Sequence, residues 1–186
     1  MRIKLTAVLC LILMLSGCGS KEDGLSRAIA LRSRILSCNG CSFSVTVAAD
    51  YGEKIYTFSA KCETNKNGDL SFEVTAPATI AGICGKITGT GGTISFDDTV
   101  LAFPTIADGQ ITPVTAPWLF MKTLRGGYLK SCSLIDGGIS IAIDDSYSAE
   151  AFQLCINTNR DMPSSAEIFW RNRRILTLMI EDFAIL

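Results

Sequence analysis

A helix that has to be buried, set among strands, constrains this chain more than any other feature. In the stretch FPTIADGQITPVTAPWLFMKTLRGGY the prolines exclude central strands, Thr115 can cap a helix with Pro117 in its first turn, and Gly126-Gly127 ends it. Trp118, Leu119, Phe120, Met121 and Leu124 make that helix apolar nearly all round. A helix without a polar face is stable only when it is covered on every side. Whatever the flanking segments form must therefore wrap around it.

The flanking segments read as strands. Phe43, Val45 and Val47 alternate with Ser42, Ser44 and Thr46, and Tyr56, Phe58 and Ala60 repeat the alternation beyond ADYGEK, as two strands of a hairpin do. A two-residue loop at Tyr51-Gly52 sets Val45 opposite Phe58 and Cys41 opposite Cys62, which makes Cys41–Cys62 the expected cross-strand disulfide. Further strands are expected at Leu70–Thr75, Ile83–Thr88, Thr93–Phe96, Val100–Phe103, Tyr128–Leu134, Gly138–Ile143, Glu150–Asn157, Ala166–Trp170 and Ile175–Phe183. The last is apolar on both faces over Ile175–Ile180, which predicts cover on each side. Apolar positions 25, 28, 29, 35 and 36 predict a first helix over Leu25–Leu36, its apolar stripe interrupted by Arg32. About ten antiparallel strands, one helix ahead of them and one between two sets, predict a strongly curved sheet around apolar helices, of the α+β class.

The N-terminus is an address. Arg2 and Lys4 precede the apolar run Leu5–Leu15, which is well short of the ~20 residues that a spanning helix needs. The run ends in Leu15-Ser16-Gly17-Cys18, which resembles the lipobox of bacterial lipoproteins. That resemblance implies a signal peptide over 1–17 and a diacylglyceryl group on the Cys18 thiol, so that Cys18 becomes the mature N-terminus. Multiple acyl chains, at ~0.8 kcal/mol per buried CH₂, would hold the protein on a membrane permanently. Residues 18–24 then read as the lipidated cysteine with a flexible tether, and 25–186 as a single domain.

With 17 Lys+Arg against 18 Asp+Glu the chain has a net charge of −1, and nothing in it suggests a nucleic-acid partner. Of its 8 cysteines, Cys10 leaves with the signal and Cys18 is committed to lipid. Cys38, Cys41, Cys62, Cys84, Cys132 and Cys155 remain, an even set that suits disulfides in an exported domain.

There is no histidine, which removes His-based triads, HExxH metal sites and imidazole bases together. Cys38-Asn39-Gly40-Cys41 has the CxxC spacing of redox centres, but it follows a helix instead of opening one, and structural disulfides are the preferred reading of the cysteines. A zinc site would need a second close cysteine pair, which Cys62 and Cys84 do not make. Asp97-Asp98 and Asp144-Asp145 fall between strand signals, where aspartate favours turns, and TGTGGT lacks the ending of a phosphate loop. Arg27, Arg32 and Arg34 follow the tether and form either a solvated helix face or a contact with lipid headgroups.

PATIAGI (77–83), ISFDDTVLAF, ITPVTAPWLFMKTLRGGYL and AEIFWRNRRILTLMIEDF together resemble a group of small lipoproteins from clostridia-like bacteria. These are similar in turn to the LolA/LolB-like lipoprotein-carrier superfamily. The resemblance implies a half-open antiparallel barrel of about eleven strands, with helices plugging its concave side, that binds acyl chains or lipidated proteins without catalysis. No cofactor and no metal are implied. The expected protein is a membrane-anchored extracytoplasmic lipoprotein, not an enzyme. It holds a hydrophobic ligand beneath a lid made of Trp118, Phe120, Met121 and Leu124. The other reading is a structural or adhesive cell-surface domain whose core is filled and which takes no ligand.

Overall fold

The computed structural model describes residues 24–50, 52, 54–104, 106–107, 110–148 and 151–186. The signal segment, Cys18 and the tether up to 23 lie outside the described residues. A helix, α1 (Gly24–Ser37), leads into β1 (Gly40–Asp50), β2 (Ile55–Asn65), β3 (Leu70–Ala76), β4 (Cys84–Thr88), β5 (Gly91–Phe96) and β6 (Thr99–Phe103). A small ladder of β7 (Ile106–Ala107) and β8 (Gln110–Ile111) and a 3₁₀ turn (Pro113–Thr115) then precede α2 (Ala116–Gly126). The chain finishes with β9 (Tyr128–Ile135), β10 (Gly138–Asp144), β11 (Phe152–Asn159), β12 (Met162–Trp170) and β13 (Arg173–Ile185).

Eleven of these strands form one antiparallel sheet in the order β6-β5-β4-β3-β2-β1-β13-β12-β11-β10-β9, open between β6 and β9. This is the expected α+β half-open barrel. Each half is a meander of neighbouring strands. The two halves join where the last strand, β13, pairs with the first, β1. Both helices lie on one face, α1 against β9 and β10 and α2 against β10 and β13. Alternate residues of the strands point to that inner face and form the core, among them Val45, Val47, Leu70, Ile87, Ile141, Ile143, Leu154, Ile168 and Leu178.

The β1–β2 register departs from expectation by two residues. Cys41 faces Thr64 and Cys62 faces Phe43, because the loop between Asp50 and Ile55 is longer than two residues. An even shift leaves every side chain on its expected face, so the core set survives. The geometry expected for a Cys41–Cys62 disulfide does not, and both cysteines are free thiols. A second correction concerns β13. Leu176, Leu178 and Ile180 are buried, but Met179 on the other face is exposed, so the strand is central through its pairing and not through cover on both sides. A bulge in the β1–β13 ladder places Asp182 at φ 52° and lets Phe183 stack on Phe43 at 5.6 Å.

One local device occurs twice. At the start of β1, the Cys41 N–H donates to Thr64 Oγ1 at 3.0 Å, and a Cβ on Gly40 would lie 2.0 Å from the Thr64 carbonyl oxygen. At the start of β10, the Ile139 N–H donates to Thr158 Oγ1 at 2.9 Å, and a Cβ on Gly138 would lie 2.0 Å from the Thr158 carbonyl oxygen. Both threonines are buried, and each hydroxyl also donates back to the carbonyl of its partner residue. Only glycine permits such an approach of two backbones. The glycine of CNGC is therefore structural.

Candidate functional site: the uncovered inner face

The buried helix is where the sequence placed it. Thr115 does not cap α2 through its side chain; its hydroxyl donates to the Thr112 carbonyl at 2.8 Å, and the 3₁₀ turn carries the chain into the helix instead. Trp118, Phe120, Met121 and Leu124 are between 0% and 4% exposed. The Phe120 ring meets Phe43 edge-on at 5.8 Å and Phe183 at 6.4 Å. These contacts belong to a packed core. Arg32 of α1 donates its Nε–H to the Leu124 carbonyl at 2.8 Å, placing a cation on the last turn of α2. Burial lowers the affinity of Arg32 for its proton, and nearby Cys132 works in the opposite sense.

Beside α2 the helices leave part of the sheet uncovered. One row of inner-face residues runs Phe43, Cys62, Phe72, Gly85, Ile94, Leu101 across β1 to β6. Phe43, Cys62 and Phe72 are buried, Gly85 and Ile94 are half-buried, and Leu101 is 65% exposed. The row above it ends in the same way. Ala60 faces Val74, the Val74 N–H donates to the Ile83 carbonyl at 2.8 Å, and Phe96, on the same face as Ile94, is 45% exposed. Tyr56, two residues from Phe58 on the inner face of β2, is 54% exposed. Ile83, Ile94, Phe96 and Leu101 thus make an apolar surface that begins at the rim of the core and opens toward the β6 edge. It is continuous with the core, whereas ordinary exposed apolar residues are scattered singly.

The remaining sequence candidates have structural employment. Asp97 (φ 43°) and Asp98 (φ 63°) form the tight β5–β6 turn. Asp144 accepts from Gln153 at 3.1 Å and pairs with Lys130 at 3.5 Å. Asp145 accepts the Phe152 N–H at 3.0 Å, and burial raises its carboxyl above the usual carboxylate range. TGTGGT is the β4–β5 turn, held by Thr88 Oγ1 donating to the Gly91 carbonyl at 3.1 Å. Arg27 donates its Nε–H to Asp161 at 2.8 Å and so ties α1 to the β11–β12 turn. Of the three arginines only Arg34 is exposed. The same helix instead exposes Leu25, Ile29 and Leu36 along one line, a stripe visible in the helical spacing once the other apolar line is assigned to the core.

No protein-family model matches the chain, and no curated protein matches its sequence. Solved structures do. A LolA-superfamily protein from Nitrosomonas europaea is 10% identical, with 88% of this chain and 94% of that one covered and a TM-score of 0.46. A putative outer-membrane lipoprotein-sorting protein domain from Vibrio parahaemolyticus is 9% identical over 87% and 92%, with a TM-score of 0.46. The lipoprotein LppX of Mycobacterium tuberculosis is 14% identical over 83% and 95%, with a TM-score of 0.39. The solved structures that this chain is similar to thus include LolA-superfamily and lipoprotein members, the group its sequence resembles.

Proposed function

We propose that the protein is an extracytoplasmic lipoprotein, anchored through Cys18, whose half-open barrel binds a hydrophobic ligand, an acyl chain or an acylated protein, without catalysis. One observation carries the ligand reading: the inner face over β4–β6 keeps Phe96 and Leu101 exposed beside half-buried Ile94 at the rim of the core. Fully burying an exposed side chain of this size is worth about 1.5–3 kcal/mol, and Phe96 and Leu101, already partly covered, would gain roughly half of that each on contact with a chain-like ligand. In this reading the sheet is the floor of the site and α2 borders it, with Trp118, Phe120, Met121 and Leu124 packed in the adjoining core. The lipobox supports the anchor, and residues 1–17 are the signal peptide. Because α1 begins at Gly24, six residues after Cys18, its exposed Leu25, Ile29 and Leu36 stay within reach of the bilayer surface.

The test is mass spectrometry of organic extracts of the purified protein, with binding of a fluorescent fatty acid to the parent and to Leu101→Glu. Lipid in the extract and saturable binding that Leu101→Glu weakens at least tenfold are expected. No co-purified lipid and no probe binding would overturn the reading. That outcome would favour the alternative of a structural or adhesive domain, which the dense packing around Phe120 supports.

A further inference from the structure

We propose that Cys38 and Cys41 are a disulfide site, closed by thiol–disulfide exchange with an extracytoplasmic dithiol oxidant, that staples the end of α1 to the start of β1. The compartment in this statement rests on the lipoprotein reading above; the geometry does not. Cys38 is the first residue after α1 and Cys41 the second of β1, and their Sγ atoms lie 3.8 Å apart.

The two residues between them are held in place. The Asn39 N–H donates to the Leu186 carbonyl at 3.1 Å, and the Leu186 N–H donates to the Gly40 carbonyl at 2.9 Å. Gly40 is pressed against the Thr64 backbone, and the Cys41 N–H is held by Thr64 Oγ1. The backbone therefore presents both thiols to each other, and side-chain rotation closes the remaining distance. The other described cysteines are placed otherwise. Cys62 lies between Phe43 and Phe72, and Cys84 is exposed on β4 opposite Glu73. Cys132 and Cys155 face adjacent residues of β10, Ile141 and Ala142, and so point to opposite faces of the sheet.

The direction of the helix decides what kind of CxxC this is. Redox-active pairs place a cysteine at a helix N-terminus, where the dipole stabilises the thiolate and with it the reduced form. Here the sense is reversed. Cys38 follows the carbonyl end of α1, and its Sγ lies 3.1 Å from the carbonyl oxygens of both Ile35 and Gly40, either of which can accept its single S–H. Cys41 is fully buried, and burial together with the neighbouring Cys38 pushes its thiol up to about 12. With neither sulfur at a helix N-terminus and the backbone already holding the two within 3.8 Å of each other, the pair is a brace and not an oxidoreductase.

The chemistry starts at half-exposed Cys38. Its sulfur bonds to one sulfur of the oxidant's disulfide and the other leaves as a thiolate. The Cys41 sulfur then attacks the Cys38 sulfur and expels the second oxidant thiolate. The two cysteines give up two electrons and two protons, and the oxidant's disulfide is reduced to two thiols.

The full protein, equilibrated in mixtures of reduced and oxidised glutathione, acid-quenched, alkylated and sequenced by tandem mass spectrometry, tests this. Cys38 and Cys41 should become linked and lose alkylation together at ratios that leave Cys84 a free thiol. Cys41→Ser should leave Cys38 as a glutathione adduct, and Cys62→Ser should change neither. Accumulation of the Cys38 adduct in the parent protein, or a Cys41–Cys62 link, would overturn the proposal. The same spectra report the mass of the N-terminal peptide. Glutathione reaches the thiols in any compartment, so an unlipidated Cys18 with a closed Cys38–Cys41 bridge would count against the anchor alone.

Discussion

Phe120→Ala tests whether α2 is core or cover. Phe120 is fully buried, with its ring edge-on to both Phe43 and Phe183, which stack on each other at 5.6 Å. Truncation removes the ring from the point where β1, β13 and α2 meet, and the sheet on either side of it is held by continuous ladders that cannot collapse inward. Core phenylalanine truncations that leave such a void cost about 3–5 kcal/mol. Against a total stability of about 5–15 kcal/mol, and at roughly 2–4 °C per kcal/mol for a chain of this size, the loss should lower Tm by about 10 °C. Urea unfolding followed by tryptophan fluorescence is a suitable assay, since Trp118 is buried in α2 and Trp170 is half-buried at the end of β12. Leu101→Ala is the control, because a side chain 65% exposed should change stability by less than about 0.5 kcal/mol. If Phe120→Ala cost under about 1 kcal/mol while Leu101→Ala behaved as expected, the packing argument would fail and α2 would have to be read as a mobile lid.

Four further outcomes follow from local features of the fold. Thr158→Val keeps the shape of the side chain but leaves the buried Ile139 N–H without its acceptor, a loss of about 1–3 kcal/mol by denaturant titration; Gly138→Ala should be worse, since its methyl meets backbone. Burial pushes the Cys62 thiol up to about 12 from 9.0. Its folded pKa is therefore the higher one, so its contribution is intact below the unfolded pKa and is lost as pH rises from about 9 toward 12. At pH 10 that loss should be roughly 1–2 kcal/mol, and it should disappear in Cys62→Ala when the pH dependence of unfolding is compared. Asp98→Gly relieves a positive φ of 63° in the β5–β6 turn and should stabilise the protein by about 0.5–1 kcal/mol, read as an upward shift in the urea midpoint.

Local pattern carried a great deal of this fold. The alternation in 42–47 and 56–60 placed the right side chains inward even though the hairpin register was off by two, because facing depends on parity alone. The loop that sets the register involves an Asx contact, the Gly52 N–H donating to Asp50 Oδ1 at 2.7 Å, which pattern reading does not resolve. The β1–β13 pairing joins residues at opposite ends of the chain, and β13 looked covered on both faces because a centrally paired strand and a doubly covered one share an apolar sequence. At the candidate site, the apolar character of Trp118–Leu124 was legible, but its employment in packing Phe43 and Phe183 was not. Phe96 and Leu101 read as ordinary strand residues, since nothing local says which stretch of an inner face a helix will leave bare.

By itself the sequence determined the class of fold, the facing of nearly every strand, the need to bury α2 and the absence of imidazole chemistry, because each follows from residue type and spacing along a few neighbours. Tertiary structure decided which partner each strand took, that Cys38 and Cys41 come within 3.8 Å while Cys41 and Cys62 do not face each other, and where the inner face stays open. Those are outcomes of loop length, of bulges and of two helices covering a sheet wider than themselves, and they arise only when distant segments compete for the same apolar surface.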